Sequence, residues 1–352
     1  MSTPHDDMAD ADSGDMALLP CGSGFTDHEF QSASGTELAV RVWPANVSAP
    51  APFVLWTHGG GFIGGCHFTP RPWLDPGFRQ RGYHLVSHNY RLAPQASIEQ
   101  QLADCLESVD WCRRHLPHLL GADKVDVDRY VLCGESAGGH LVTFMALHLP
   151  DPQPRAVVDI YGVTDFVAMK DLDKEQAPEE WNGEFATQEL EDFLGDRDSD
   201  NILTDALSWA EMKLFTEAQL SRYWGSDIKY EKRIRLQSEL HNWRSQHPKG
   251  VALLIRALMH PERFDDKSGL EQETRSVSPL HVLRERQQQG NAHYPPTAFL
   301  HGTVDVDVPL KQSQDMAQIL KELGVPTIEC YEEGQTHVFD QKYTVCERLF
   351  LV

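Results

Sequence analysis

Residues 134–139 read Gly-Glu-Ser-Ala-Gly-Gly and separate two segments of different pattern. Residues 129–133 before them form a short apolar run typical of a buried strand, and residues 139–148 after them have the apolar content of a helix. Small residues around Ser136 permit a sharp, strained turn between the two elements. Such a turn lifts the serine hydroxyl out of the sheet, so this stretch predicts a nucleophilic serine at a strand-to-helix corner.

A second glycine-rich stretch, His-Gly-Gly-Gly-Phe at 58–62, follows the strand-like run 53–56. Consecutive glycines let the backbone approach a ligand closely and turn its N–H groups outward. A reaction with a tetrahedral oxyanion needs such fixed donors. The stretch also fits the dinucleotide pattern G-x-G-x-x-G, but Pro70 and Pro72 break the helix that a dinucleotide site requires next. We therefore predict an oxyanion-binding loop.

The remaining candidate catalytic groups follow two later strand-like runs. Asp305 comes after the buried pattern at 296–302, and His337 comes after the run 327–331. In this chain order, His337 would take the proton of Ser136 as general base. Asp305 would hold the imidazole in the correct tautomer and stabilise its cation.

Two other aspartates remain as alternatives for the acid. Asp307 is two residues further on and could share the site, and Asp165 follows an earlier strand by closing the strand-like segment 159–165. We prefer Asp305 because it comes first after its strand. The base is chosen from 17 histidines by the Gly-x-x-His turn that ends at His337.

The combined motifs resemble the hormone-sensitive-lipase branch of the α/β-hydrolases, a group with many microbial and fungal carboxylesterases. The resemblance runs from about residue 37 to the C-terminus and rests on 58–62, 89–94, Asp104 with Trp111, 134–139, 161–165, 278–279, 301–303 with Asp305, 308–309, and Gly334 with His337. It implies the α/β-hydrolase fold, with a mostly parallel central sheet, helices on both faces and a long helical lid insertion.

Matched position by position, the resemblance also implies roles for individual residues. The implied residues are Ser136, Asp305 and His337 for a catalytic triad, and the backbone N–H groups of Gly60, Gly61 and Ala137 for an oxyanion hole. This chemistry needs no cofactor and no metal ion. Glu135 stands where the family more often has aspartate, a tolerable change because that side chain supports the elbow from behind. Family members often pair through sheet edges or the last helix, so the resemblance implies a homodimer.

Composition limits the function classes. The formal net charge of −22 argues against nucleic acid and anionic membrane surfaces as partners. No apolar run reaches the roughly 18–20 residues of a membrane span. The acidic N-terminus is unlike a secretory leader, so the cytoplasm is the expected location. The seven scattered cysteines lack metal-ligand spacing and are expected to be reduced thiols.

The alternation of strand and helix patterns suggests a division of the chain. We expect an acidic disordered tail at 1–25, a hydrolase core formed by 26–165 and 291–352, and a helical lid or cap at 166–290. Charged residues dominate this insertion, and it shows no strand-like pattern. Insertions between strands of a rigid sheet project beyond it and commonly shape a substrate pocket.

Within the insertion, apolar positions at helical spacing predict helices over 202–214 and 236–243. The run 251–259 is more apolar and predicts a more deeply buried helix. The insertion also holds four tryptophans, at 181, 209, 224 and 243. We interpret these as packing of its own small core, so none is a candidate substrate-binding residue.

The expected function is a serine hydrolase that cleaves carboxylic esters of a small organic or secondary-metabolite substrate through an acyl-enzyme. An arylformamidase-like amide hydrolase would use the same machinery. A prolyl-oligopeptidase-type peptidase fits less well, because its elbow normally carries Tyr-Gly-Gly after the serine. A non-catalytic small-molecule receptor on this fold fits less well too, because such receptors have lost the histidine that is present here as His337.

Overall fold

The computed structural model describes residues 24–169, 181–206, 228–247, 250–260 and 267–343 of the 352-residue chain. The described strands form one eight-stranded sheet in the order β1-β2-β4-β3-β5-β6-β7-β8. The strands are β1 (Thr26–Gln31), β2 (Glu37–Trp43), β3 (Ala51–Thr57), β4 (His84–His88), β5 (Val125–Glu135), β6 (Ala156–Ile160), β7 (Thr297–Gly302) and β8 (Thr327–Glu332).

The sheet is mostly parallel. β2 pairs antiparallel with β1 and β4, and every other neighbouring pair is parallel. The central strands are buried along nearly their whole length, because helices cover both faces of a parallel sheet. The predicted fold class is therefore confirmed, and the strand-like runs at 53–56, 129–133, 296–302 and 327–331 fall on β3, β5, β7 and β8.

The first strand was not predicted. β1 has the sequence Thr-Asp-His-Glu-Phe-Gln and alternates between exposed and partly buried side chains. As the edge strand it has one sheet neighbour, β2. A short polar edge strand carries a weak hydrophobic pattern, because only one of its faces packs against the protein.

The described α-helices all lie between these strands in the chain. They are α1 (Leu74–Gly77), α2 (Ile98–Leu120), α3 (Ala137–His148), α4 (Phe166–Met169), α5 (Thr187–Leu194), α6 (Ile228–Gln246), α7 (Gly250–Leu258), α8 (Lys267–Ser276), α9 (Pro279–Gln288) and α10 (Lys311–Glu322). α2 begins at a capping box in which Ser97 and Gln100 exchange side-chain hydrogen bonds with each other's backbone N–H. No helix in the described part of the chain is long and apolar enough to cross a membrane.

Two hydrophobic clusters cover the two faces of the sheet. Phe53 and Leu55 of β3 belong to the larger cluster, which includes side chains of α2, α3 and α10. Val54 and Trp56 alternate with them and belong to the smaller cluster on the other face. This period-2 division is what a strand buried on both sides requires.

Helices α4 to α9 lie in the chain between β6 and β7. α5, α6 and α7 pack against one another, α4 packs against α7, and α9 packs against α3 and α10. The helices predicted at 236–243 and 251–259 are present in α6 and α7, and α7 buries most of its apolar side chains. Trp181 and Trp243 contact other insertion residues, Phe185 and His247 respectively. Trp209 and Trp224 lie outside the described residues.

The helix predicted over 202–214 is wrong in its first part. Residues 202–206 follow a short 3₁₀ turn, Ser199–Asn201, and are not helical. Ala206 instead pairs with Gly65 through two backbone hydrogen bonds of 2.7 and 2.8 Å. Residues 207–214 lie outside the described part. Residues Phe339–Lys342 form a 3₁₀ turn.

Segment 203–206 is anchored to the loop that follows the glycine-rich stretch. The Asp205 carboxylate accepts the His67 backbone N–H at 2.8 Å and lies 2.9 Å from His67 Nδ1. It also accepts a hydrogen bond from Asn89 Nδ2 at 2.6 Å. Burial opposes the charge, but the neighbouring His67, His58 and Asn89 hold the pKa of Asp205 below its ordinary value. Asp205 therefore ties segment 203–206 to the loop after β3 and to the residue that follows β4.

Replacing Asp205 by alanine is expected to lower the free energy of unfolding by about 2–3 kcal/mol, because buried donors lose their acceptor. Urea denaturation at pH 7 measures this loss. The destabilisation should become smaller below about pH 4. The pKa of Asp205 is lower in the native than in the unfolded protein, so the stabilising charge disappears as the native carboxylate is protonated. Asp200→Ala, on the exposed turn nearby, is the matched control. Equal stability of the two variants would contradict the anchoring role.

Candidate active site

The predicted strand-to-helix corner is present at the end of β5. The strand ends at Glu135, α3 begins at Ala137, and Ser136 between them has φ 52° and ψ −116°. A non-glycine residue in this region is strained by roughly 1–3 kcal/mol. A side chain at Gly138 would place its Cβ 2.1 Å from the carbonyl oxygen of Thr57. Glycine at 138 therefore lets α3 start close enough to β3 for the turn to form.

The three predicted catalytic side chains lie together. His337 Nε2 is 2.9 Å from Ser136 Oγ, and His337 Nδ1 is 2.7 Å from Asp305 Oδ2. Ser136, Asp305 and His337 follow β5, β7 and β8, so they meet at the carboxyl edge of the parallel sheet. A proton on Nδ1, donated to Asp305, leaves Nε2 free to accept the serine hydroxyl proton.

A second histidine holds Asp305. His301 Nε2 lies 3.3 Å from Asp305 Oδ2 and 2.8 Å from the Val308 carbonyl oxygen, and His301 Nδ1 lies 2.7 Å from Ser313 Oγ. Burial alone would raise the pKa of Asp305, but hydrogen bonds from His301, His337 and the Val308 N–H bring it well below its ordinary value. Asp305 is thus ionised at neutral pH, as an orienting acid requires. The sequence identified His301 only as part of the motif at 301–303.

The alternative acids lie elsewhere. Asp165 is 3.0 Å from His281 Nε2, and it accepts backbone N–H bonds at the start of α4. The Asp307 backbone N–H donates to Asp305 Oδ1 at 2.9 Å. Among the described residues, Asp305 is the carboxylate that is hydrogen-bonded to His337. Of the three candidate aspartates, Asp305 is the one that the structure brings to His337.

The glycine-rich stretch turns sharply beneath α6. Gly60, Gly61 and Phe62 all have positive φ, at 103°, 62° and 67°. The Gly60 carbonyl accepts the N–H groups of Ile63 and Gly64, which closes a tight turn. A Cβ at Gly60 would lie 2.2 Å from the backbone oxygen of Gly64, so glycine is required there.

Two of the three predicted oxyanion-binding residues, Gly61 and Ala137, lie at the serine cavity. Gly61 and Ala137 line the same cavity as Ser136. Ala137 is the first residue of α3, where a backbone N–H has no acceptor within the helix. Gly60 lies one residue before Gly61, and its carbonyl accepts a hydrogen bond from His241 of α6. The loop, the helix start and α6 thus meet at one place.

A buried polar network lies behind the elbow. Arg71 donates to Glu135 and lies 3.4 Å from Tyr161 Oη, and Tyr161 Oη donates to Asp340 at 2.6 Å. Burial raises the pKa of Glu135 to about 7, although Arg71 opposes the shift. Asp340 is three residues after His337, so the network joins the serine turn to the segment that carries the imidazole. The sequence did not reveal Arg71 or Asp340, because neither is adjacent to a recognised motif.

A small cavity opens onto the serine hydroxyl. Its volume is about 40 Å³, room for a few water molecules. Its apolar lining comes from the sheet edge and from α4 and α7, through Phe62, Val163, Phe166, Met169, Val251, Leu254, Ile255, Leu258 and Val308. Its charged or polar groups include Ser136, His337, Asp307 and Arg244. Arg244 was not predicted, because one arginine on a helix with many charged residues carries no distinguishing signal.

Comparison with curated proteins gives large fungal relatives. The chain is 25% identical over 325 residues to the non-reducing polyketide synthase ascC of Acremonium egyptiacum, which covers 88% of this chain. It is 28% identical over 329 residues to the non-reducing polyketide synthase adrD of Penicillium roqueforti, which covers 87% of this chain. The chain spans only 14% and 12% of the length of these two relatives.

Solved structures and a family model give the fold. An esterase of Pyrobaculum calidifontis superposes with a TM-score of 0.57 at 18% identity, over 95% of this chain and 85% of that one. An α/β-hydrolase superfamily protein of Enterococcus faecalis superposes with a TM-score of 0.57 at 19% identity, over 92% of this chain and 95% of that one. Residues 54–213 match a family model described as an α/β-hydrolase fold. Together with the sheet order and the serine turn, these matches show that the chain has the α/β-hydrolase fold.

Proposed function

We propose that this α/β-hydrolase belongs to the hormone-sensitive-lipase branch and cleaves carboxylic esters of a small organic or secondary-metabolite substrate through an acyl-enzyme. The observation that carries the proposal is the continuous hydrogen-bonded chain from Ser136 Oγ through His337 to Asp305, with distances of 2.9 and 2.7 Å. A hydroxyl, an imidazole and a buried carboxylate in this order are the components of nucleophilic acyl transfer.

The proposed reaction has two steps. Ser136 Oγ attacks the ester carbonyl while His337 Nε2 takes its proton, and the backbone N–H groups of Gly60, Gly61 and Ala137 stabilise the oxyanion. His337 then gives the proton to the departing alcohol, which leaves an acyl-serine. Water attacks the acyl group with His337 again as base, and the carboxylic acid and free serine are released. Each oxyanion donor would contribute roughly 10²–10³ in rate.

The similarity to polyketide synthases supports a narrower substrate proposal. The alignments with ascC and adrD cover 88% and 87% of this chain, so most of the chain is similar to a small part of each synthase. We therefore propose that the physiological acyl group is polyketide-derived. The formamide alternative uses the same catalytic groups and differs only in substrate, so N-formylkynurenine belongs in every rate comparison.

The proposal includes the division of the chain predicted from its sequence. We assign 26–165 and 291–352 to the catalytic core and 166–290 to a lid. Lining of the serine cavity by α4 and α7 supports this role for the insertion. Residues 1–23 lie outside the described part, and the predicted cytoplasmic location and homodimer remain predictions.

Labelling by an alkyl p-nitrophenyl phosphonate tests the proposed function. We expect the wild-type protein to gain the mass of one phosphonyl group, because an activated serine attacks phosphorus as it attacks a carbonyl. Ser136→Ala should remove the labelling, and Ser276→Ala, on the exposed side of α8, should retain it. Intact-protein mass spectrometry measures both. Unlabelled wild-type protein would favour the receptor alternative.

A further inference from the structure

One arginine reaches the serine cavity from the insertion. Arg244 lies near the end of α6 and lines the cavity together with Gly61, Ser136 and His337. A methyl group added at Gly61 would lie 2.8 Å from Arg244 Nη2. The guanidinium therefore lies directly against the backbone that we propose as an oxyanion donor.

Arg244 differs from three other inward-facing arginines, Arg41, Arg71 and Arg91, which each have a carboxylate partner. Arg41 is 2.6 Å from Asp27, Arg91 is 2.7 Å from Asp104, and Arg71 donates to Glu135. No carboxylate of the described residues forms such an ion pair with Arg244. Its Nε is buried and has no hydrogen-bond acceptor among the described residues. The guanidinium donors are thus available to a ligand.

The surroundings make this arrangement unfavourable without a ligand. Burial lowers the pKa of Arg244, and the attraction of the Asp307 carboxylate opposes the shift. The guanidinium stays protonated, since arginine is not deprotonated in proteins. A cation among apolar side chains pays a desolvation cost that only a close anion and good hydrogen bonds offset. An anionic group on the substrate would provide both.

We propose that Arg244 binds a carboxylate of the substrate, so that the preferred substrates are esters that carry a free carboxylate beside the scissile bond. This inference rests on the proposed function, since Arg244 and Ser136 share the cavity. A guanidinium matches a carboxylate with two parallel N–H···O bonds. The remaining apolar lining would contact the carbon chain between the two groups.

The charge balance favours a carboxylate over a phosphate. The cavity has one unpaired cation, the Asp307 carboxylate lies on the same lining, and the chain carries a net charge of −22. A singly charged carboxylate neutralises Arg244 completely. A dianionic phosphate would leave an excess negative charge facing Asp307, with no second described cation in the cavity lining to balance it.

Matched ester pairs test the proposal on the full chain. The charged substrates are p-nitrophenyl hemisuccinate, hemiglutarate and hemiadipate, and their neutral counterparts are the butyrate, valerate and hexanoate. A second pair, 4-acetoxybenzoate and p-tolyl acetate, places the carboxylate on the alcohol side. Rates are corrected with Ser136→Ala as the blank, because a free carboxylate can assist spontaneous hydrolysis. The variants are Arg244→Met and Arg244→Lys.

We expect wild-type kcat/KM to favour a charged ester, and Arg244→Met to reduce the charged-to-neutral ratio by about 10–150-fold, the value of a lost charged hydrogen bond. Arg244→Met should act mainly by raising KM for the charged ester, and Arg244→Lys should keep part of the wild-type preference for that ester. Arg256→Met, on the exposed side of α7, removes the same charge and should leave the ratio unchanged. Free glutarate should inhibit valerate hydrolysis competitively in wild type and much less in Arg244→Met.

The outcomes separate this proposal from the proposed function. Suppose that neutral esters are hydrolysed and that the charged-to-neutral ratio of kcat/KM is the same in wild type and Arg244→Met for both ester series. This result would overturn the role of Arg244 and leave the esterase proposal standing. Absence of Ser136-dependent hydrolysis of every ester would overturn the esterase proposal itself. If Arg244→Met does not fold, the ratio and the glutarate inhibition in Arg244→Lys decide: values identical to wild type would argue against paired guanidinium recognition.

Discussion

Replacing Ser136 by alanine is expected to lower kcat for p-nitrophenyl butyrate by roughly 10⁴–10⁶-fold, because the acyl-enzyme can no longer form. KM should change little, since Ser136 contributes only one small part of the cavity lining. The backbone of Ser136 is strained because its φ is positive, and removing the hydroxyl group there should not unfold the protein. Steady-state kinetics, with urea denaturation as the check on folding, measure both quantities.

His337→Ala should cause a loss of similar size, because the Nε2 atom 2.9 Å from the hydroxyl is the proposed base. The double variant Ser136→Ala/His337→Ala should be no slower than either single variant, since the two groups act as a unit. His293→Ala, an exposed histidine in the loop before β7, is the matched control. Losses that multiply in the double variant would show that the two residues act independently and would contradict the proposed mechanism.

Replacing Asp305 by asparagine is expected to reduce kcat by about 10⁴-fold with the fold intact. Asp305 Oδ1 accepts the N–H groups of Asp307 and Val308 at 2.9 and 3.0 Å. An asparagine would keep its oxygen on these donors and turn its NH₂ group toward His337 Nδ1. The imidazole would then carry its proton on Nε2 and could not accept the proton of Ser136.

Variants of the two alternative acids, Asp307 and Asp165, are the controls for Asp305→Asn. Asp307→Asn and Asp165→Asn should each have a far smaller effect on kcat for neutral esters, because neither carboxylate is hydrogen-bonded to His337. The pH dependence of kcat/KM adds a second readout, since Asp305→Asn removes the partner of the imidazolium. If Asp307→Asn proved the more damaging change, the assignment of the acid would be wrong.

Much of the catalytic edge could be predicted from local sequence. The turn at Ser136 needs glycine at 138, because any side chain there would strike Thr57. The turn at Gly60 likewise allows no side chain. Such backbone requirements leave a visible trace in the residue type at a fixed position. The central strands were equally clear, because burial on both faces demands continuous apolar runs.

Other parts were missed or mispredicted because distant contacts determine them. Residues 202–206 have apolar positions at helical spacing, yet their backbone pairs with Gly65, and Asp205 binds His67 and Asn89. More than 130 residues of chain separate Asp205 from His67. These long-range hydrogen bonds compete with the local helical preference and win, and no local pattern records them.

The sequence by itself determined the fold, the serine turn, the glycine-rich loop and the chain order of the three candidate catalytic side chains, since each depends on residue types within a few positions of one another. Only the tertiary structure decided which aspartate meets His337, that His301 holds that aspartate, and that Arg244 enters the cavity without a carboxylate partner. Distance and burial decide the electrostatic partners of a charged group, and both arise only when remote segments of the chain are brought together.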